Sequence, residues 1–207
     1  MQQELTAVSN KSCNLFLSSA SPRRAELLAQ LGLNFAKVNA PVEEVALPGE
    51  TGASFVRRMA IEKALDGFNK LAGKHIWVIG GDTLIELDGR VLGKPRNKAD
   101  AFRIWRVLSA QVHQVLSAVA VVHDGEVFCE LVRTQVYFAK MTEDDMLHYW
   151  SSGEPQDKAG AYAIQGLGAR YIQRIEGSFS AVMGLPLYEL NQLLQLSGYP
   201  FADFKAD

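Results

Sequence analysis

Two Asp-Gly pairs constrain the fold of this chain more than any other feature of its sequence. Asp88-Gly89 lies within "LIELDGRVLGKP", and Asp124-Gly125 separates the apolar residues 115–122 from residues 127–138. An Asp-Gly pair between extended apolar segments is typical of a two-residue turn that joins two antiparallel strands. The sequence therefore predicts two hairpins in the middle of the chain, which favours a mixed sheet over a purely parallel one.

Other patterns predict strands and helices around these hairpins. Strands are predicted at 15–17, 76–79 and 171–175, and residues 35–42 are predicted to be extended. Helices are predicted from Pro22 to Gly32, over 54–71 and 99–108, from Thr142 to near Gly153, and over 187–196. This irregular order predicts an α/β fold, a mixed sheet with flanking helices and a projecting lobe, and not a regular doubly wound sheet.

Length and composition indicate one globular domain. The chain has 207 residues, of which 48% are hydrophobic and 21% charged. We expect a single domain over 14–201, with flexible tails at 1–13 and 202–207. The net charge of −2 provides no general attraction to nucleic acid or to a membrane surface. Any anion must therefore be bound by a local cluster of cations.

The cellular compartment is predicted from cysteine usage and from the start of the chain. Cys13 and Cys129 form no disulfide framework and no metal-ligand pattern, so both are expected to be reduced thiols. The N-terminus has no apolar signal-peptide core, and the longest apolar run is too short to span a bilayer. We expect a cytoplasmic protein.

The segment "NLFLSSASPRRAELL" predicts an anion site. A short strand leads through small residues, including Ser19 and Ser21, into a helix that begins at Pro22. Free N–H groups at a helix N-terminus favour anions and disfavour cations. Arg23 and Arg24 in the first turn would therefore be disfavoured unless an anion is bound there. The alternative is a capped helix with two solvated arginines.

Acidic residues follow two of the predicted extended segments. In "IWVIGGDTL", Gly80-Gly81 is predicted to end the strand, which places Asp82 where α/β folds often hold catalytic or metal-binding carboxylates. Glu43 and Glu44 point to opposite sides of an extended segment, so at most one of them joins Asp82. Two carboxylates near a phosphate are suited to Mg²⁺ or Mn²⁺. The alternatives are a turn at Asp82 and a solvated acidic loop.

Two lysines lie in different contexts. Lys94, between glycine and proline, could reach a phosphate, and the alternative is an exposed, solubilising loop. Lys63 lies on the second helix, where Arg58 and Glu62 have the spacing of an i,i+4 ion pair. Its position on that helix predicts that Lys63 is at the surface.

The glycine-rich segment "GEPQDKAGAYAIQGLGA" contains the polar residues Glu154, Asp157, Lys158 and Gln165. Its glycines indicate tight turns or a close approach of the backbone to a ligand. The Gln165 amide both donates and accepts hydrogen bonds, so it is suited to reading a base edge. The alternative is a glycine-rich connector.

Cations, a few carboxylates and one candidate base reader together suit a nucleotide polyphosphate with a divalent metal. The chain also resembles the Maf-type nucleoside triphosphate pyrophosphatases. The resemblance extends from about residue 15 to residue 194, and its blocks occur in family order: "SASPRRAELL", "GGDT", "GRVLGKP", "LSAQVHQV" and "GEPQDKAGAYAIQGLGARYIQRIEGSFSAVMGLPL".

The resemblance implies a metal-dependent hydrolase that cleaves a nucleoside triphosphate between the α and β phosphates, giving a monophosphate and pyrophosphate. It implies a mixed α/β fold with two lobes around a deep cleft, in a family whose members are often homodimers. Asp82 matches the proposed proton acceptor. Arg23, Thr83 and Gln165 match the specificity positions of the branch that acts on dTTP and UTP, whereas the 7-methyl-GTP branch has another residue after Ser-Pro.

The roles that follow from the resemblance form one hypothesis. Asp82 and Glu44 hold Mg²⁺ or Mn²⁺ and help activate a water, while Arg23, Lys63 and Lys94 neutralise charge on the phosphates. Thr83 and Gln165 read the pyrimidine, and the remaining substrate-binding candidates are Ser19, Ser21 and Arg24. Modified pyrimidine nucleotides are further candidate substrates.

The chain departs from the family pattern at three places. Gly81 stands where alanine is usual, Glu43 where aspartate is usual, and Ala110 where glycine is usual. Two functions of other classes stay open. The first is a nucleotide-binding regulator of septum formation or cell division without turnover. The second is a nucleic-acid binder, which the acidic Asp82 and Glu44 disfavour.

Overall fold

The computed structural model describes residues 14–39, 41–71 and 74–201. Cys13 and the expected tails, 1–13 and 202–207, lie outside the described residues. The strands are β1 (Leu15–Leu17), β2 (Ala36–Lys37), β3 (Trp77–Leu87), β4 (Arg90–Leu92), β5 (Val112–His123), β6 (Glu126–Phe138) and β7 (Ile172–Glu176). The helices are α1 (Pro22–Gln30), α2 (Gly52–Leu71), α3 (Lys98–Leu108), α4 (Glu143–Ser151), α5 (Phe179–Met183) and α6 (Leu187–Leu196), with short 3₁₀ helices at Glu154–Asp157, Ala159–Ala161 and Leu167–Tyr171.

The strands of the described residues form one mixed sheet of seven strands. Its order is β2-β1-β3-β5-β6-β7, and β4 pairs with β3 outside this path. β1 is parallel to β2 and β3, and the other pairs are antiparallel. The predicted α/β class with a mixed sheet is confirmed.

Both predicted hairpin turns are present. Asp88 and Gly89 have φ of 50° and 74°, and Asp124 and Gly125 have φ of 47° and 88°. Positive φ at both central residues is the geometry of a type I′ turn, which Asp-Gly adopts at low cost. The second turn joins β5 to β6, the longest strand pair of the sheet.

The strand that carries Asp82 is longer than predicted. β3 continues through Gly80 and Gly81 to Leu87, so the predicted break at this glycine pair is wrong. A Cβ at Gly80 would overlap backbone atoms of Ala60 and Ala64 in α2. The glycine therefore allows a helix to pack closely on a continuous strand.

One edge of β3 changes its partner near Asp82. β1 pairs with residues 77–79 of β3, and β4 pairs with residues 85–87. Among the described residues, no strand pairs with residues 80–84 on this edge, whereas β5 pairs along the other edge throughout. A crevice for ligands commonly forms where the neighbours of a strand change in this way. Asp82 therefore lies at an opening in the sheet and not beyond the end of a strand.

Several boundaries differ from the sequence prediction. α2 begins at Gly52 because Thr51 caps it, accepting a hydrogen bond from the Ser54 backbone at 3.2 Å. Among the described residues of the range 35–42, only Ala36–Lys37 forms a strand. Helix α5 was not predicted, since five residues are too few to show a helical period. The start of α4 is confirmed: Thr142 and Asp145 form a reciprocal capping box.

In the part of the chain that the structure describes, three clusters of buried apolar residues hold the helices to the sheet. The first packs α3 and α4 around Trp105 and Phe138, and the second packs α1 and α6 around Leu28 and Leu190. The third consists mainly of small residues between α2 and β5. Small side chains shorten the distance between helix and sheet, which is consistent with the close approach at Gly80. No helix of the described residues is long and apolar enough to cross a membrane.

Candidate active site

The turn between β1 and α1 is held by its serine hydroxyl groups. The Ser18 hydroxyl donates to the Lys63 carbonyl at 2.6 Å, and the Ser21 hydroxyl caps α1 by accepting from the Arg24 backbone at 3.5 Å. The Ser19 hydroxyl accepts from the Ser21 backbone at 3.1 Å and from Arg24 Nη1 at 3.2 Å. The predicted small-residue turn before the helix is therefore an ordered cradle.

The two arginines of this turn have different surroundings. Arg24 Nε donates to the Gly184 carbonyl at 2.8 Å. Burial lowers the pKa of Arg24, while the charges of Asp82 and Glu44 act in the opposite direction. Arg23 lies 3.9 Å from an Asp157 carboxylate oxygen. The alternative of two solvated arginines is therefore wrong for Arg24, which is tied to a distant part of the chain.

Lys63 is buried between two carboxylates. Its Nζ donates to Asp82 Oδ1 at 2.7 Å and to Glu44 Oε1 at 2.5 Å, and its side chain is 10% exposed. The prediction of a surface position is wrong because α2 packs on β3 at Gly80, which turns this face of the helix inward. The predicted Arg58–Glu62 pair is present at 3.2 Å.

The two carboxylates beside Lys63 differ in their electrostatics. Burial raises the pKa of Asp82, Glu44 raises it further, and the charges of Lys63 and Arg24 oppose the change. Partial burial also acts to raise the pKa of Glu44, but Lys63, Lys94 and Arg24 together lower it below its ordinary value. Glu44 is therefore the stronger acid, and Asp82 is the better proton acceptor of the two.

Two cavities meet at these residues. One has a volume of about 150 Å³ and contains Asp82, Thr83 and Gln165 in its wall. The other, of about 400 Å³, is lined by the β1–α1 turn, including Ser19. They share Ser21, Arg23, Arg24, Glu44, Lys63 and Lys94. The structure thus brings all ten candidate site residues together, whereas Glu43 lines neither cavity.

Thr83 and Gln165 line the first cavity and not the second. Thr83 Oγ1 is 2.8 Å from the Ser117 hydroxyl and 3.5 Å from the Gly184 carbonyl. Asp82 and Thr83 project from opposite faces of β3, yet both line this cavity because the strand edge between them is unpaired. Gln165 is exposed and lies in the glycine-rich segment.

Three further residues of this wall were not assigned a role from the sequence. Lys158 lies in the wall, Gly184 accepts the hydrogen bond from Arg24, and Tyr162 is buried with its hydroxyl 2.8 Å from His113 Nε2. Long-range packing brings these three residues to the cavity wall, so no local sequence pattern identifies them. Their one signal was that they lie in the blocks that carry the family resemblance.

The residues that could hold a divalent cation are Asp82 and Glu44. No group of three or more histidine, cysteine or acidic side chains in the described part of the chain could hold a metal. Two carboxylates nevertheless fit Mg²⁺, which commonly binds one or two protein carboxylates and takes its other ligands from water and substrate phosphates. The Lys63 ammonium already lies between them, so the position favours positive charge.

Comparison with known proteins supplies the family. The model of the family described as Maf-like protein matches residues 14–197, which is nearly the whole described chain. The chain belongs to the Maf-like protein family. The family predicted from the motif blocks is therefore confirmed.

Three relatives of this Maf-like chain are each named dTTP/UTP pyrophosphatase. This chain is 54% identical over 185 residues to the dTTP/UTP pyrophosphatase of Hydrogenovibrio crunogenus, and the alignment covers 89% of this chain and 96% of the relative. It is 50% identical over 180 residues to the dTTP/UTP pyrophosphatase of Vibrio vulnificus strain YJ016, covering 87% and 96%. The protein of that name from Pseudoalteromonas atlantica is 46% identical over 182 residues, covering 87% and 95%.

Proposed function

We propose that this chain is a nucleoside triphosphate pyrophosphatase that hydrolyses dTTP and UTP to the monophosphate and pyrophosphate. The observation that carries the proposal is a buried carboxylate, Asp82, beside cavities lined by Arg23, Arg24, Lys63 and Lys94. Such a site attracts a polyphosphate and holds a proton acceptor next to it. Relatives named dTTP/UTP pyrophosphatase, about 50% identical over most of their length, support the same reaction.

In the proposed mechanism a water attacks the α-phosphorus. Its oxygen forms the new P–O bond as the bond to the bridging oxygen breaks, and pyrophosphate leaves with the bonding electrons. Asp82 accepts the proton of the attacking water, a task that its raised pKa favours. Arg23 and Lys94 neutralise charge on the leaving oxygens, and Lys63 fixes the direction of the Asp82 carboxylate.

In this proposal, the substrate-binding residues form two groups, one for the phosphates and one for the base. Ser19, Ser21 and Arg24 form the phosphate end, where the α1 N-terminus also favours an anion. Thr83 and Gln165 form the base end. The glutamine amide can pair with one donor and one acceptor of a uracil or thymine edge.

A divalent cation, Mg²⁺ or Mn²⁺, is part of the proposal. Asp82 and Glu44 would hold it together with substrate phosphate oxygens. When bound, such an ion neutralises phosphate charge and lowers the pKa of a bound water. Within the same proposal, Lys63 would keep Asp82 and Glu44 aligned.

The proposal also includes the domain organisation, the oligomeric state, the cellular location and further substrates of the chain. The unpaired edge of β3 supports two lobes around a deep cleft within one domain over 14–201. A homodimer and a cytoplasmic location are proposed from the family resemblance, and the location also from the expectation that both cysteines are reduced thiols. Modified pyrimidine nucleotides are proposed as additional substrates because the base end is open at Gln165.

The test is pyrophosphate release from dTTP, UTP, CTP, ATP, GTP and 7-methyl-GTP with Mg²⁺ or Mn²⁺. We expect release from dTTP and UTP, and a loss of at least about a hundredfold in Asp82→Asn, because a general base contributes on this order. Glu43→Gln is the matched control, since Glu43 is exposed and lines neither cavity.

Other results of the pyrophosphate-release assay would favour the alternative functions. Preference for 7-methyl-GTP would assign the chain to the sister branch of the family. Tight nucleotide binding without pyrophosphate release would refute the enzymatic proposal and favour a regulator of septum formation or cell division.

A further inference from the structure

The backbone around Gln165, the candidate residue for reading the base, determines the region that its side-chain amide can reach. The residue is exposed in the wall of the first cavity, and no residue that the structure describes forms a hydrogen bond with its side-chain amide. Whatever fixes the backbone on both sides of Gln165 therefore determines the region that its amide can reach.

The backbone on both sides of Gln165 is held by Glu154 and Tyr149. Glu154 Oε2 accepts from the Leu167 N–H at 2.8 Å, and Oε1 accepts from the Gly168 N–H at 3.0 Å. The Tyr149 hydroxyl donates to Glu154 Oε1 at 2.6 Å and accepts from the Ala163 N–H at 3.1 Å. One carboxylate and one hydroxyl thus fix the loop before and after the base reader. We call residues 163–168 the Gln165 loop.

Two glycines of the loop are explained by this contact. A Cβ at Gly166 would overlap the Glu154 carboxylate, and a Cβ at Gly168 would overlap the Tyr149 hydroxyl and backbone atoms of Ala163. The glycine density was expected to reflect either turns or an approach to a ligand. At these two positions the backbone approaches the protein's own carboxylate and hydroxyl group instead.

The contact requires an ionised carboxylate. Partial burial acts to raise the pKa of Glu154, but donation from Tyr149, Leu167 and Gly168 lowers it below its ordinary value. Both oxygens of the carboxylate therefore accept at neutral pH. A carboxamide at this position would accept through one oxygen only and would turn an N–H₂ group towards a donor.

We propose that Glu154 is a specificity-determining positioning residue, which holds the Gln165 loop so that Gln165 presents its amide to the base. Charge-assisted hydrogen bonds are stronger and shorter than neutral ones, so this carboxylate is suited to fixing two successive N–H groups. The inference rests on the proposed function, because it assigns Glu154 to the base end of that site. It predicts an effect on base selection that is separate from the phosphate chemistry.

The experiment compares UTP with CTP in Glu154→Gln. These nucleotides differ only at the base edge, so their ratio of kcat/KM reports base reading. We expect the UTP-over-CTP ratio to fall about tenfold, through a higher KM for UTP, with kcat for UTP changed less than about twofold. Glu143→Gln is the matched control because Glu143 forms an exposed ion pair with Arg106, and it should leave the ratio unchanged.

A purely structural role would give a different result. An unchanged ratio in Glu154→Gln, or a proportional loss of activity on UTP and CTP, would overturn the inference. Tyr149→Phe is the second variant: it keeps the buried ring and removes the hydroxyl, and it should lower the same ratio. If Glu154→Gln does not fold, as judged by thermal melting, the ratio in Tyr149→Phe decides alone.

Failure of the proposed function can be told apart from failure of this inference. Wild-type protein that releases no pyrophosphate from UTP would refute the proposed reaction. Calorimetric binding of UMP and CMP then replaces the kinetic ratio, and a UMP preference that Glu154→Gln loses would support the inference. Wild-type protein that binds UMP no better than CMP would overturn it.

Discussion

Among single residues, Lys63 has the strongest influence on the electrostatics of the site. Its ammonium lies between Asp82 and Glu44, and Arg24 contributes a second positive charge to both carboxylates. Burying an unpaired charge raises the free energy of the folded state. Each charge in this group therefore offsets part of the desolvation free energy of the others. The result is a carboxylate, Asp82, that stays close to positive charge and still has a raised pKa.

The raised pKa of Asp82 leads to a prediction for the pH dependence of turnover. Only the ionised carboxylate accepts a proton, so kcat/KM for UTP should fall as the pH drops through the Asp82 pKa. Because kcat/KM reports the free enzyme, before metal and substrate bind, this acidic limb should lie above the ordinary value of 3.8. The negative charge of Glu44 contributes to the raised pKa, so Glu44→Gln should move the limb to lower pH.

The measurement is the pH profile of kcat/KM in the wild type, in Glu44→Gln and in Glu43→Gln. Glu43→Gln should leave the limb in place because that side chain is exposed and away from both cavities. A limb that stays at the wild-type position in Glu44→Gln would contradict the assignment of the titrating group to Asp82.

At the scale of elements, the position of α2 on β3 determines whether the site exists. The helix approaches the strand closely at Gly80 and thereby places Lys63 beside Asp82. Ser18 adds a second connection, since its hydroxyl donates to the Lys63 carbonyl. Lys63 therefore links α2 both to β3 and to the β1–α1 turn, in addition to the close packing at Gly80.

Adjacent glycines of β3 give a matched test of this packing. Gly80→Ala should lower the free energy of unfolding by about 2 to 3 kcal/mol, because its Cβ would meet backbone atoms of α2 that cannot move alone. Gly81→Ala should cost much less, since the nearest atom to its Cβ is the side-chain atom Arg24 Nε at 3.2 Å, a contact that a shift of a few tenths of an ångström relieves. Urea denaturation measures both, and equal costs would contradict the packing argument.

A second prediction concerns the loop that carries Glu44. Arg58 of α2 forms two hydrogen bonds of 2.7 Å with Glu50, and its Nη2 donates to the Val45 carbonyl at 2.9 Å. Arg58 thus anchors the loop next to Glu44. Arg58→Ala should raise the Mg²⁺ concentration needed for half-maximal pyrophosphate release by about tenfold, as is common when support for a metal ligand is removed.

The control for this loop is the other partner of Arg58. Glu62→Gln removes only the i,i+4 pair at 3.2 Å and leaves the contacts with Glu50 and Val45 in place. It should therefore keep the wild-type Mg²⁺ requirement. An equal rise in both variants would mean that Arg58 acts through the helix and not through the loop.

At the scale of the whole molecule, the site joins segments that are far apart in the chain. The proposed phosphate end comes from the turn at 18–24, the central carboxylates from 44 and 82, and the proposed base end from the Gln165 loop. A nucleotide that fills both ends should therefore stabilise the molecule as a unit, by about 2.7 kcal/mol at a ligand concentration of 100 times Kd.

Hydrogen exchange can test this long-range arrangement. With Mg²⁺, a UTP analogue whose α–β bridge resists hydrolysis should slow amide exchange both at 18–24 and at 163–168. Inorganic pyrophosphate should slow exchange at 18–24 only, because it has no base to contact Gln165. Protection at 163–168 by pyrophosphate would contradict the division into a phosphate end and a base end.

Much of the fold could be predicted because local chemistry determines it. The Asp-Gly pairs adopt positive φ at low cost, Ser21 and Thr142 cap helices, and the apolar periods of α3 and α6 are long enough to detect. These features depend on residues close together in the chain. For the same reason the ordered motif blocks were sufficient to indicate the family and the candidate site residues.

Features of the site that depend on contacts between distant residues could be seen only in the tertiary structure. Neither the burial of Lys63 nor the course of β3 through Gly80 follows from local pattern, because both result from the packing of α2 on the sheet. The contact between Glu154 and the Gln165 loop likewise spans 13 residues from Glu154 to Leu167. Local sequence therefore specifies the turns, the helix caps and the chemical groups available, whereas long-range packing determines how far β3 extends and which of these groups meet.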